Sequence, residues 1–278
     1  MDILLGLAVL PVIVLGFYIY KKDNNKEPEG LLTKIFLLGV LTCVPVVICE
    51  MIAGNFFDTD DSTIGFIPMF INVFFGVGLI EEFFKWLVTK KVGYNSKEYD
   101  EVYDIIVYSV FASLGFACLE NILYVFSNGI GTAIMRALLS VPGHACFGVI
   151  MGYFLSKAKL NELHGNHATS KTNLILSIVM PSLVHTMYDA LLFDGGDMNI
   201  LIFFVFDIIM VIYCFSLVKR MSSIQYNVSL LTGQSMTSSA VKEQVQVQDN
   251  TKNMIQVCPI CKRKYMKGSS CPSCGYKN

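Results

Sequence analysis

Seven mostly apolar stretches run through this chain, near residues 3–20, 31–53, 66–89, 103–126, 131–156, 172–193 and 198–220. A helix rises about 1.5 Å per residue, so roughly 20 such residues cross a hydrocarbon core about 30 Å thick. Inside that core each backbone amide and carbonyl must find its partner within the segment, and a helix is the form that satisfies them all. The runs show neither the strict alternation of a strand nor the narrow stripe of an amphipathic surface helix. Composition agrees: 54% of residues are hydrophobic and 15% charged, where soluble domains carry roughly a quarter charged. The chain is expected to be an all-α, polytopic helical membrane protein of about seven spans, with the lipid bilayer as its solvent.

The cations are sorted among the connections. Lys21, Lys22, Lys26 and Lys34 follow the first run, Lys90, Lys91 and Lys97 the third, Lys157, Lys159 and Lys171 the fifth, and Lys219 and Arg220 close the seventh. The intervening loops FFDTDDSTIG, SNGIG and DGGDM hold no Lys or Arg. This is the positive-inside pattern, and it puts the N-terminus outside and the C-terminal tail in the cytosol of an integral cell-membrane protein. Met1-Asp2 supplies no basic leader and Lys21-Lys22 follow without a small-residue cleavage site, so the first run reads as a retained anchor. A net charge of -1 with no basic face gives no support for nucleic-acid binding.

Three parts follow from the composition: a transmembrane domain over 1–220, a Ser-, Gln- and Thr-rich flexible linker over 221–257, and a small segment over 258–278. That last segment carries Cys258, Cys261, Cys271 and Cys274 as C-x2-C-x9-C-x2-C. Two such turns aim four thiolates at one point, the spacing of a structural zinc ribbon with no open coordination position. So short a segment buries no core, so the metal would supply its folding energy. A disulfide pairing is disfavoured in the cytosol. The ribbon would bind a cytosolic protein partner or hold the tail near the membrane. Cys43, Cys49, Cys118, Cys146 and Cys214 lie in apolar runs and read as packing residues.

The chemistry is expected where ionisable residues interrupt lipid-soluble helices. A charge at mid-bilayer costs roughly 2.5–3.5 kcal/mol even on the lenient insertion scale, so a helix keeps one for a reason. In GLIEEFFKWLV, Glu81 and Glu82 are adjacent and Lys85 stands one turn on, able to neutralise one carboxylate. Two neighbouring carboxylates resist ionising together, which suits one of them to act as a general base. The alternative is a membrane boundary with Lys85 snorkelling to the surface. FACLENILY places Glu120 and Asn121 together beside Tyr124, with Asn121 and Tyr124 equally suited to clamp neighbouring helices. Arg136 precedes VPGHACFG, where Pro142 and Gly143 suggest a kink beside His144. PSLVHTMYDALL sets Asp189 one turn from His185, able to fix the imidazole tautomer. Residue counting permits one polar cavity near the midplane. Glu50 reads as an outer-end residue, Asp104 as a cytosolic helix start, and His164 and His167 as solvated loop residues.

Taken in order, Glu81-Glu82-x-x-Lys85, Phe116-x-x-x-Glu120-Asn121, His144 after Arg136 and Pro142, and His185-x-x-x-Asp189 resemble the PrsW family of intramembrane proteases, distant relatives of the CAAX prenyl-protease and bacteriocin-processing group. The resemblance covers spans three to six. It implies cleavage of a membrane-anchored protein substrate, an anti-sigma factor being the best-known kind, with Glu81, Glu82, His144 and His185 at the reactive centre. Relatives of the CAAX type place histidine at Glu120 and asparagine at Asp189, which leaves the ligand set open. Two versions of the chemistry stand: a zinc ion bound by His144, His185 and a carboxylate, or a metal-free carboxylate–histidine pair with His185 and Asp189 stabilising the oxyanion. The rival readings are a proton-coupled transporter or channel, and a scaffold acting through the zinc tail.

Overall fold

Why the fourth span should differ from the rest is visible in its residues. Asp104–Asn128 alternates small side chains (Ser109, Ala112, Ser113, Gly115, Ala117) with β-branched and aromatic ones, so it can be approached from every side. In the computed structural model of the chain this helix is the axis of the bundle, with 78% of its most apolar window buried, against 28% for the last span. The structure describes residues 2–224 except 60 and 62, together with 255–257 and 264–266.

The helices, in order, are α1 (Asp2–Lys22), α2 (Glu29–Ala53), α3 (Phe66–Val73), α4 (Leu79–Val88), α5 (Asp104–Asn128), α6 (Ile130–Met135), α7 (Val141–Leu163), α8 (His167–Phe193) and α9 (Asp197–Ser222). Seven continuous helical stretches are long and apolar enough to cross a membrane, Leu4–Lys22, Glu29–Ala53, Phe66–Gly93, Asp104–Asn128, Ile130–Leu163, His167–Phe193 and Asp197–Ser222. The expected count therefore holds, with ends shifted by several residues and with His167 opening α8 rather than lying in a loop. α1, α2 and α7 pack around α5, and α8 packs on α7. Leu10, Phe17, Leu41, Met51, Ile208 and Ile212 point outward and are exposed, which suits a lipid-facing rim.

Close approach at the axis depends on glycine. A Cβ on Gly115 would overlap the backbone of Phe36, and one on Gly39 would overlap Ala112, so α2 and α5 touch main chain to main chain.

Two spans are composite. α3 runs into α4 through a π-helical turn at Phe74–Gly78, and α6 into α7 through another at Arg136–Ser140. Such turns insert a residue into the helical register and re-aim the side chains of the next helix. The second one corrects the expected position of the break. The helix loosens before Pro142, which sits in the first turn of α7 where its missing N–H costs little.

Residues 229–278 make up a second unit. Its described residues form an antiparallel pair, β1 (Ile255–Val257) with β2 (Lys264–Met266), in register Ile255 opposite Met266. β1 lies inside the stretch expected to be linker. Cys258, Cys261, Cys271 and Cys274 fall outside the described residues.

Candidate active site

Each of four helices delivers part of one polar cluster. The π-turn at Phe74–Gly78 stands one turn before Glu81, and Gly78 there meets Ser182 and Thr186 of α8 so closely that any side chain would collide with them. That contact brings the acidic face of α4 onto α8.

Lys85 is wholly buried. Its Nζ donates to Glu81 Oε2 and to Glu82 Oε1, each at 2.8 Å, and lies 3.1 Å from His144 Nδ1. The ammonium also sits over the Phe116 ring, 4.2 Å from its centroid. Lys85 is therefore the internal countercharge of the cluster, and the snorkelling alternative fails. Glu82 Oε1 continues to His185 Nδ1 at 3.0 Å, and His185 Nε2 meets Asp189 Oδ2 at 3.1 Å. On the other wall, His144 Nε2 and the Arg136 guanidinium both stand 2.8 Å from Glu120 Oε2. The two imidazole rings are 5.3 Å apart, edge to face, and Phe147 stacks on His185 at 4.5 Å.

Glu81, Glu82, Glu120, His144, His185 and Asp189 are thus brought together, with Lys85 and Arg136 among them. Asn121 is one step removed. Its Oδ1 accepts from Arg136 Nε at 2.9 Å and its Nδ2 donates to the Ala8 carbonyl at 2.7 Å, so it ties the cluster to α1. The clamp reading of Asn121 describes it well.

A cavity of about 550 Å³ opens on this cluster, walled by Glu81, Glu120, Arg136, His144, His185 and Asp189. Glu82 and Lys85 do not reach it. The adjacent glutamates therefore have different surroundings: Glu81 faces the cavity, and Glu82 braces the wall behind it. Glu50, read from sequence as an outer-end residue, also lines the cavity, as does Tyr124, whose ring lies 4.3 Å from the Arg136 guanidinium. A lone acid in an apolar run was the available signal for Glu50, and nothing in α2 tells which way it faces.

Three of these groups suit a metal ion. Ligand atoms of Glu81, His144 and His185 lie within 4.8 Å of one another, and all three residues are buried. Two imidazoles and a carboxylate on the wall of an open cavity form a donor set suited to a catalytic zinc. Both nitrogens of each imidazole are engaged, His144 by Lys85 and Glu120 and His185 by Glu82 and Asp189, so a bound ion would take the place of one contact on each ring and leave the other to fix its tautomer.

Comparison with known proteins supplies the family. Residues 27–217 match the model of the PrsW family of intramembrane metalloproteases, a stretch that contains every residue of the cluster. Protease PrsW of Oceanobacillus iheyensis is 42% identical over 189 residues, covering 68% of this chain and 82% of that protein. Protease PrsW of Halalkalibacterium halodurans is 38% identical over 192 residues, covering 68% and 83%. For Protease PrsW of Bacillus subtilis the figures are 37% over 190 residues, 68% and 82%. No solved structure matches the chain. A family match over more than half the chain, with relatives of this similarity, means that this integral membrane protein belongs to the PrsW family of intramembrane metalloproteases.

Proposed function

We propose that the cavity walled by Glu81, Glu120, His144, His185 and Asp189 hydrolyses a peptide bond of a membrane-anchored protein, a regulator of the anti-sigma-factor kind being the substrate class the family suggests. The observation that carries the reading is the convergence of two imidazoles and a carboxylate from three spans, with ligand atoms within 4.8 Å, on a cavity with an ionic inner wall.

Hydrolysis inside a bilayer needs a held water, a base to take its proton, and a fixed charge environment while the carbonyl oxygen becomes negative. Glu81 is the cavity-facing carboxylate and takes the proton. Lys85 holds its Oε2 at 2.8 Å, which keeps the other oxygen turned elsewhere in one orientation. A metal ion here would be held by His144 and His185 with Glu81 beside it, and would polarise the scissile carbonyl and acidify the water. Glu120 and Asp189 orient the two imidazoles from opposite walls. Arg136, paired with Glu120 at the cavity wall, offers a fixed positive group near the developing charge. Glu82 positions His185 and Lys85 from behind.

The sorting of Lys and Arg among the loops supports an orientation with the N-terminus outside and the tail in the cytosol. In that orientation the four-cysteine tail would bind zinc and meet a cytosolic protein partner.

The test is cleavage of a membrane-tethered reporter by the full-length protein in cells, with membrane insertion followed in parallel. Glu81→Gln should lower cleavage by about 10²–10⁴-fold, the span of general-base catalysis. His185→Ala should abolish it. Full activity in both inserted variants would remove the hydrolytic reading.

A further inference from the structure

A second cluster of acids stands at the opposite end of α5, and among the described residues none of its members forms an ion pair. Asp104, the first residue of α5, and Glu120 are sixteen residues apart, about 24 Å at helical rise, so this cluster is separate from the cavity. The connection between α1 and α2 brings Asp23 and Glu27 to it, and the segment before α5 brings Asp100 and Glu101. Carboxylate oxygens of Asp23, Glu101 and Asp104 lie within 4.8 Å of one another, and so do those of Glu27, Asp100 and Asp104. Asp104 is common to both groups.

Burial makes this more than an acidic surface. Asp23 is 3% exposed and Asp104 wholly buried, yet both side-chain oxygens of Asp23 and Oδ1 of Asp104 and of Asp100 have no hydrogen-bond donor, and the carboxyls of Glu27 and Asp104 lie against each other. The amides of Asn25 and Glu27 approach Asp23 without reaching hydrogen-bond geometry. Three other oxygens are held in place. Asp104 Oδ2 accepts from the amides of Asp100 and Glu101 at 2.9 and 2.7 Å, Glu27 Oε2 from Tyr108 at 2.6 Å, and Asp100 Oδ2 from Asn25 at 2.7 Å. Lys26, whose charge draws on Asp23 and Glu101 from beyond ion-pair distance, gives its Nζ to backbone carbonyls of Tyr20, Lys21 and Asp23. Among the described residues none of the five acids forms an ion pair. Burial pushes the Asp23 carboxyl up to about 6 against the opposing pull of Lys26, and that of Glu27 up to about 7.

We propose that Asp23, Glu27, Asp100, Glu101 and Asp104 form a binding site for a hard divalent cation of the magnesium and calcium class. The donors are all carboxylate oxygens, the set preferred by those ions and by manganese, and they lack the nitrogen and sulfur that favour zinc. The bound ion ties the α1–α2 connection to the start of α5. At the other end of the same helix pair, Asn121 of α5 holds the Ala8 carbonyl of α1. The cation is thus a brace on the helix that carries Glu120. This site does not rest on the hydrolytic reading, and its test excludes the cavity.

The experiment uses full-length protein in detergent carrying Glu81→Gln and His185→Ala, stripped with chelator and titrated with Mn²⁺ under electron paramagnetic resonance. One Mn²⁺ per chain should bind, yield to Mg²⁺ or Ca²⁺ in competition, and raise the thermal unfolding midpoint by several degrees. Asp23→Asn, which breaks no hydrogen bond, and the isosteric Asp104→Asn should each weaken Mn²⁺ binding by about tenfold or more and remove the cation-dependent shift of the midpoint. Absence of binding in the parent would mean that the acids share protons among themselves, and would overturn the proposal. Undiminished binding in the doubly substituted Asp23→Asn, Asp104→Asn protein, with its midpoint still raised by Mg²⁺, would overturn it equally.

Discussion

Two groups of buried acids occupy this bundle, one beside the cavity and one near the start of α5, and they are balanced in different ways. Beside the cavity, Glu81, Glu82, Glu120 and Asp189 meet two cations of the chain, Lys85 and Arg136, and two imidazoles as hydrogen-bond partners, all at 2.8–3.1 Å. Near the start of α5, Asp23 and Asp104 form no ion pair among the described residues, and Lys26 draws on Asp23 only from beyond ion-pair distance. A buried charge left unpaired is expensive, whereas a paired one is costly mainly when a partner is removed. The cavity cluster can therefore stand as it is and shift protons within a closed set. The other is complete only with a charge brought from outside. Substitutions that delete charge should act in opposite directions in the two places.

Lys85→Met should have the largest effect. The change keeps the stem of the side chain and removes the ammonium, leaving Glu81 and Glu82 without their shared cation. Removing one partner of a buried pair typically costs about 3–5 kcal/mol, and here one cation serves two carboxylates. The expected result is a protein that is poorly retained in membranes and inactive toward the reporter. Detergent thermal stability close to that of the parent would show that the ammonium is not the countercharge of this cluster.

Glu82→Gln comes next and separates the two adjacent glutamates. Glu82 does not reach the cavity, so the amide should leave substrate binding nearly intact. Lys85 keeps Glu81, while His185 loses the charged partner of its Nδ1. Loss of such an orienting contact costs about 10–100-fold where it has been measured at metal sites. Cleavage should fall by that factor in kcat with KM little changed, less than for Glu81→Gln. Equal losses in the two variants would mean that position relative to the cavity does not divide their roles.

The spans could be read from the chain because a run of twenty apolar residues has few alternatives, and the motifs because Glu81, Glu120, His144 and His185 are out of place in lipid. What could not be read was direction. Adjacent residues on a helix point about 100° apart, and the π-turn at Phe74–Gly78 resets that angle just before Glu81 and Glu82. No periodicity in the sequence marks such a turn. The same limit hid Glu50 in the cavity wall. The second acid cluster was invisible for another reason. Asp23, Glu27, Asp100 and Glu101 look like ordinary loop residues, and only the docking of two connections some 75 residues apart, as in the Asn25–Asp100 bond, gathers them and buries Asp23 and Glu27.

That burial sets up the smallest and most discriminating effect. Asp23 contributes no hydrogen bond, so Asp23→Asn removes charge without removing a contact. Leaving a buried polar group unsatisfied costs on the order of 1–3 kcal/mol, more when it is ionised. In chelator, where nothing neutralises the carboxylate, the variant should unfold at a higher temperature than the parent by an amount of that order. In millimolar Mg²⁺ the ranking should invert, because the parent gains a bound ion and the variant does not. At the cavity, Glu82→Gln should destabilise in both buffers, since its countercharge is part of the chain. A crossing of the curves at Asp23 alone separates an acid cluster completed by an ion from one completed by lysine. Parallel curves at both positions would mean that the two clusters do not differ in how their charge is balanced.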